Sequence, residues 1–121
     1  MSDRTFAGYV YVIEALSGSE KGKYKIGRTN NVDRRIKQLS WMYKGVYKVI
    51  GVIYVDNTQK LEAELHRKFE LKRAYPGTLV EWFYLDRNDL GELASMFVSH
   101  TCVGRVYGAV EGTNWLMYKR A

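Results

Sequence analysis

The segment Val46 to Val55, VYKVIGVIYV, constrains the fold more than any other stretch. Its β-branched and aromatic side chains suit the pleated surface of a strand. Its most apolar part, Val49 to Val55, is far shorter than the roughly 20 residues that span a bilayer, so no membrane crossing is expected. Upstream, Gly8 to Glu14 (GYVYVIE) and Tyr24 to Thr29 (YKIGRT) read as two strands of a β-hairpin, joined through the turn-like stretch Ser17 to Gly22. In the first strand Tyr9, Tyr11 and Ile13 share one face and Val10 and Val12 the other. Both faces are substantially apolar, which leaves a tyrosine row able to overlook a cleft.

Between these strands the hydrophobic period changes. Val32, Ile36, Leu39 and Tyr43 recur at helical spacing behind the cap-type residues Asn30 and Asn31, with Asp33 in the first turn, and predict a helix from about Asn31 to Tyr43. At about 100° per residue Arg35 lies roughly 60–90° from the centre of the apolar stripe and flanks the packed face, whereas Arg34 meets solvent. Asp56-Asn57-Thr58 offers a cap for a second helix, about Gln59 to Arg73, marked by Leu61, Leu65 and Phe69. On its flank Glu62, His66 and Arg73 align, so a carboxylate and an imidazole share one edge. The chain turns at Tyr75-Pro76-Gly77. Val80 to Leu85 reads as a short aromatic strand, Leu90 to Val98 as a third helix behind Asn88-Asp89, and the glycine-punctuated tail Cys102 to Ala121 as hairpin-like.

The expectation is a small α+β domain: a mostly antiparallel sheet flanked by helices, with a core over residues 8–85 and a C-terminal helix and hairpin-like extension over 86–121. A chain of 121 residues with 46% hydrophobic and 26% charged residues suits one folded domain rather than a disordered segment. Cys102 is the single cysteine, which excludes an internal disulfide and a multi-cysteine zinc site and fits a reducing, cytoplasmic setting. Met1 to Ala7 does not read as a signal peptide.

The net charge of +6 is unevenly spread. Residues 1–55 hold ten Lys/Arg against four Asp/Glu, and residues 56–121 hold nine against nine. A basic surface of this kind attracts polyanions, nucleic acid first, through counterion release. A solvated face that maintains solubility is the simpler alternative.

Tyr9-Val10-Tyr11 within GYVYVI, Lys25-Ile26-Gly27 within YKIGRT, Arg35 eight residues after that glycine, Glu62 in LEAELH and the strand Glu81-Trp82-Phe83 occur in an order that resembles the GIY-YIG nuclease superfamily. The match is strongest to its phage-associated and meiotically up-regulated gene branch, and covers about Gly8 to Leu85. The ensemble carries the resemblance; GYVY or KIG alone is weak. It implies metal-dependent endonucleolytic cleavage of DNA, with one Mg²⁺ or Mn²⁺ per active site. Phosphodiester hydrolysis needs a base for water, positive charge for the phosphoryl oxygens and a metal or acid for the leaving alkoxide.

Carried onto this chain, the resemblance makes Tyr11 the base or water-orienting phenol, Arg35 the phosphate clamp and Glu62 the metal ligand, with Glu64 as rival if the helix register differs. His66, one turn after Glu62, could transfer a proton, touch a phosphate or orient the carboxylate. Each has a structural alternative: a packed tyrosine, a helix-edge ion pair, a solvated carboxylate and a structural histidine. His100 reads as a surface residue. Two positions depart from the family pattern. Lys25 stands where the second motif has a tyrosine, unless Tyr24 acts from the oppositely facing position; its ammonium could lower the pKa of a nearby phenol or water. No late asparagine accompanies Trp82-Phe83, where Glu81 is the only nearby ionisable residue.

The competing reading is a catalytically silent nucleic-acid-binding module. Arg28, Arg34, Arg35 and Lys37 would form its basic groove, and Trp41 or Tyr43 would stack on bases, with Tyr24 a further candidate contact. A third is a protein-interaction or inhibitor domain anchored by Trp82 and Trp115.

Overall fold

A computed structural model describes residues 6–76, 81–109 and 115–118 of the chain. Its elements run β1 (Gly8–Ala15), β2 (Tyr24–Thr29), α1 (Val32–Tyr43), β3 (Val46–Val55), α2 (Thr58–Lys68), β4 (Trp82–Phe83), α3 (Arg87–Ala94), β5 (Val106–Ala109) and β6 (Trp115–Tyr118). The strands form one antiparallel sheet in the order β4-β2-β1-β3-β5-β6, the α+β architecture the sequence predicts. No described helix is long and apolar enough to cross a membrane.

Strand β1 is buried on both sides because both of its faces are apolar. Tyr11, Ile13 and Ala15 join Val32, Ile36 and Leu39 of α1 in one cluster, which also takes in Tyr47, Val49 and Trp82. Val10 and Val12 join Ile26, Leu65, Phe69 and Phe83 in the other, on the α2 side. The register between β1 and β3 shifts at Val12/Ile13. Gly51 lies at that shift, where a Cβ would collide with the Phe97 ring.

Helix α1 starts where its cap chemistry places it: the Asn31 side chain accepts a hydrogen bond from the Arg34 backbone N–H at 3.0 Å. It ends at Lys44 in a left-handed conformation, φ 51°. Asn57 caps α2 in the same way through Lys60 N–H.

Three elements differ in extent from their expected bounds, and strand pairing explains two of the differences. Helix α2 stops at Lys68 instead of about Arg73, with Phe69 buried at its C-cap and a 3₁₀ turn at Glu70–Lys72. The next residues are drawn into the β4 ladder: Tyr84 N–H donates to the Lys72 carbonyl and Ala74 N–H to the Trp82 carbonyl, both at 2.8 Å. Arg73 therefore does not align with Glu62 and His66; it pairs with Glu70 at 3.2 Å and stacks on Phe83. Helix α3 begins earlier than expected, because Asp86 rather than Asn88-Asp89 is its cap, in a reciprocal capping box with Asp89. It ends at Ala94, and Val98 instead bridges to Val52. Strand β4 is confined to Trp82–Phe83, and Val80 of the expected strand lies outside the described residues.

The tail does form a hairpin, β5 with β6, which extends the sheet from β3. Cys102 and Tyr107 enter the α1-side cluster, and the Tyr107 hydroxyl donates to Asp33 at 2.7 Å, tying β5 to the first turn of α1. His100 is half-buried, not a free surface residue: its ring meets Tyr9 edge-on and Nδ1 accepts from Cys102 N–H. Trp82 cannot be an interaction anchor, since it is 1% exposed and packs between Tyr43 and Tyr47. The Trp115 side chain lies outside the described residues.

Candidate functional site

The candidate site lies at the outer edge of β2, where its pairing with β4 gives way to side chains. Strand β4 pairs Phe83 with Tyr24 and Trp82 with Lys25. One residue further, the Ile26 carbonyl accepts from His66 Nε2–H of α2 at 2.9 Å. This fixes the tautomer, since a carbonyl can only accept: Nε2 carries hydrogen, and the lone pair of a neutral His66 ring sits on Nδ1. Glu81, just before β4, joins Glu62 and His66, each with one ligand-type atom within 4.8 Å of the others. The three residues come from α2 and from the approach to β4.

Two cations of β2 answer the two carboxylates. Lys25 Nζ lies 2.8 Å from Glu81 Oε1, with its side chain 8% exposed. Arg28 Nε lies 3.5 Å from Glu62 Oε1 and is more open to solvent. Burial is the main cause that raises the Glu62 pKa, and the neighbouring Glu81 charge adds to it; His66, Arg28 and Lys25 pull the other way and do not cancel it. A positive charge between the carboxylates would relieve this, and two carboxylate oxygens suit a hard divalent ion, whereas His66 Nε2, 3.9 Å from Glu81 Oε2, gives its hydrogen to Ile26 and has no lone pair for one.

Tyr11 projects from the centre of the sheet toward this edge. Its ring lies across Gly27, the residue opposite it in β2: a Cβ there would stand 2.6 Å from Tyr11 Cζ and closer still to the hydroxyl. Burial pushes the phenol up to about 12, against a hydrogen bond and charge from Arg35 that lower it and charges from Glu81 and Glu62 that raise it. Tyr11 is therefore a neutral phenol at neutral pH. Arg35 lies close enough to act on the phenol, and the neutral hydroxyl keeps its own hydrogen to offer.

The structure thus brings Tyr11, Lys25, Arg28, Arg35, Glu62 and His66 to one edge. Arg35 is half-buried and Arg34 exposed, as the helical spacing predicts. Glu64, the rival of Glu62, points instead into a groove of about 360 Å³ between α2 and α3, with Leu61, Leu65 and Met96. Tyr24 packs against the α2-side cluster, on the face of β2 that also carries Arg28 and opposite Lys25. Arg34, Lys37 and Trp41 form a separate exposed stripe along α1, where Arg34 bonds Asn30 and Lys37 pairs with Asp33 at 3.2 Å. Tyr43 lies edge-on to Trp82.

Glu81 is the residue that sequence reasoning did not place in the site. Its only signal was its position, an ionisable group where the family pattern has a late asparagine. Residues 8–98 match the T5orf172 domain. No curated protein and no solved structure was found that matches the chain.

Proposed function

The chain belongs to the T5orf172 domain family, and on that premise we propose that it is a GIY-YIG-like endonuclease that hydrolyses DNA phosphodiester bonds with one Mg²⁺ or Mn²⁺. The observation that carries this reading is the meeting of Glu62, His66 and Glu81 within 4.8 Å beside the Tyr11–Arg35 pair. A binding surface alone has no need of two carboxylates inside a basic cleft, because they repel the phosphates that the cations attract.

In this reading Glu62, with Glu81, holds the divalent ion, which when bound lowers the pKa of its water and stabilises charge at the leaving oxygen. Arg35 offers its fork to the non-bridging phosphate oxygens and steadies the charge that develops there. Tyr11, neutral, buried over Gly27 and beside Arg35, orients the attacking water through its hydroxyl. His66, its ring held by Ile26 and lying beside Glu81, helps to orient the carboxylates. Lys25 and Arg28 add positive charge along the path of the backbone, and the Arg34, Lys37 and Trp41 stripe offers further phosphate and stacking contacts. The cytoplasm is the compartment this reading assigns, where Cys102 stays a buried thiol.

The silent-module reading has one observation in its favour: Glu81 is already neutralised by Lys25 at 2.8 Å. Incubation of the protein with single- and double-stranded DNA in Mg²⁺, Mn²⁺ or EDTA separates the two. Cleavage with either ion that EDTA abolishes is the expected result. Tight DNA binding without cleavage under all conditions would establish the silent module.

A further inference from the structure

Lys25 and Arg28 stand where a divalent ion would act. Both come from β2, and each rests on a different carboxylate of the same cluster, Lys25 on Glu81 at 2.8 Å and Arg28 on Glu62 at 3.5 Å. Two carboxylates so close, partly withdrawn from water, need positive charge nearby. One ammonium and one guanidinium supply together the charge of one divalent cation. Neither is bound there by geometry that an ion could not displace. Lys25 hangs on a flexible four-carbon stem and shares a sheet face with Tyr11, through its register opposite Ile13. Arg28 is 40% exposed and borders a shallow cleft of about 290 Å³ lined also by Thr29, Asn30 and Thr58.

We propose that Lys25 and Arg28 are exchangeable counter-ions: a divalent cation taken up by Glu62 and Glu81 displaces both, and the released side chains turn to the phosphates of DNA. Glu81 thereby becomes a second carboxylate of the cation site, and cation and DNA strengthen each other's binding. Without the cation, Lys25 and Arg28 are spent on the carboxylates and the cluster, balanced in charge, offers phosphate nothing. With it, the ion balances the two carboxylates and the same edge offers two released cations. Thermodynamic linkage makes the effect reciprocal, so DNA tightens the cation by the same factor. The inference rests on the nuclease reading of this site, but concerns binding rather than chemistry.

The test uses Ca²⁺, a hard cation that oxygen ligands accept, and a short fluorescently labelled DNA duplex followed by anisotropy, with ionic strength held equal between Ca²⁺ and EDTA. Wild-type affinity should be about tenfold tighter in Ca²⁺, within the usual span of coupling between sites. The slope of log affinity against log salt should steepen by about two, one for each released cation. The double variant Lys25→Met/Arg28→Met should still bind Ca²⁺ by calorimetry yet lose that gain. Glu81→Gln should bind DNA more tightly than wild type in EDTA and gain little from Ca²⁺. Calorimetric Ca²⁺ binding with no change in DNA affinity or salt slope overturns the exchange. So does a Lys25→Met/Arg28→Met protein that keeps the full gain. If cation-dependent cleavage is seen while DNA affinity ignores Ca²⁺, the exchange alone is wrong. If calorimetry finds neither Ca²⁺ nor Mn²⁺ bound, the exchange and the metal-dependent reading are refuted together.

Discussion

Replacing Gly27 by Ala tests the packing that aims Tyr11 at the site. A Cβ at residue 27 would lie 2.6 Å from Tyr11 Cζ and 3.1 Å from Cε2. Ordinary carbon contacts need about 3.5–4.0 Å, so the ring must retreat by about 1 Å. Tyr11 is 1% exposed and has no open space to retreat into. Overpacking of this kind costs about 1–3 kcal/mol. Against it stands a gain of about 0.4–1 kcal/mol from the stiffer unfolded chain, because the Gly27 backbone is not among the glycines at positive φ. The net expectation is a loss of about 1–2 kcal/mol in urea unfolding. Displacing the phenol by 1 Å should also lower DNA turnover by about 10²-fold. The sign should reverse in a Tyr11→Val background, where no ring overlies residue 27: there Gly27→Ala should stabilise by about 0.4–1 kcal/mol. Equal losses in both backgrounds would show that the Tyr11 ring is not what Gly27 makes room for, and would refute the reasoning.

The other predictions concern charge and facing. Glu62→Gln should abolish cation-dependent cleavage with little change in melting temperature, while Glu64→Gln, in the groove between α2 and α3, should cleave like wild type; matching losses would remove the assignment of Glu62. Arg35→Ala should reduce turnover far more than DNA affinity, whereas Arg34→Ala should weaken binding modestly and leave single-turnover rates unchanged. Tyr107→Phe should cost about 1–2 kcal/mol, the value of a hydrogen bond to a carboxylate from a buried donor. It also bears on pH. Burial pushes Asp33 up, but hydrogen bonds from Tyr107 and Lys37, with the Lys37 and Arg105 charges, outweigh it and hold the carboxyl below its usual range. A carboxyl lowered in the folded state stabilises above its unfolded pKa, and the benefit fades as pH falls through the folded value. Urea unfolding of Tyr107→Phe from pH 7 down to pH 2 should therefore show a shallower acid decline than wild type; parallel curves would count against the Asp33 assignment.

What could be read from the sequence followed the local rules. Asn31 caps α1 and the stripe Val32, Ile36, Leu39 is buried, so the facing of Arg35 and Arg34 follows from helical geometry. The alternation along β2 likewise separates Lys25 from Tyr24. Local rules failed where distant pairing overrides them. Leu61, Leu65 and Phe69 continue one helical stripe, yet Phe69 is the last residue of that stripe because Lys72 and Ala74 bond β4 and its flank. Glu81 has no periodicity to betray it. It reaches Lys25 across 56 residues of chain, through a strand pairing that neither neighbourhood encodes by itself.

Strand β4 is only two residues long, held by β2 on one side and by the Lys72–Ala74 segment on the other, whereas β1 runs eight residues between two long strands and is buried on both faces. The two strands that carry the site's groups should therefore open on different clocks. Native-state hydrogen exchange should find the Val12 amide protected to the level of global unfolding, while the Trp82 amide exchanges through a local, cheaper opening. Tyr11 would then be the fixed reference of the site and Glu81 its adjustable member. A carboxylate placed just before so short a strand, outside its ladder, shifts to admit an ion or a phosphate while the phenol stays in place.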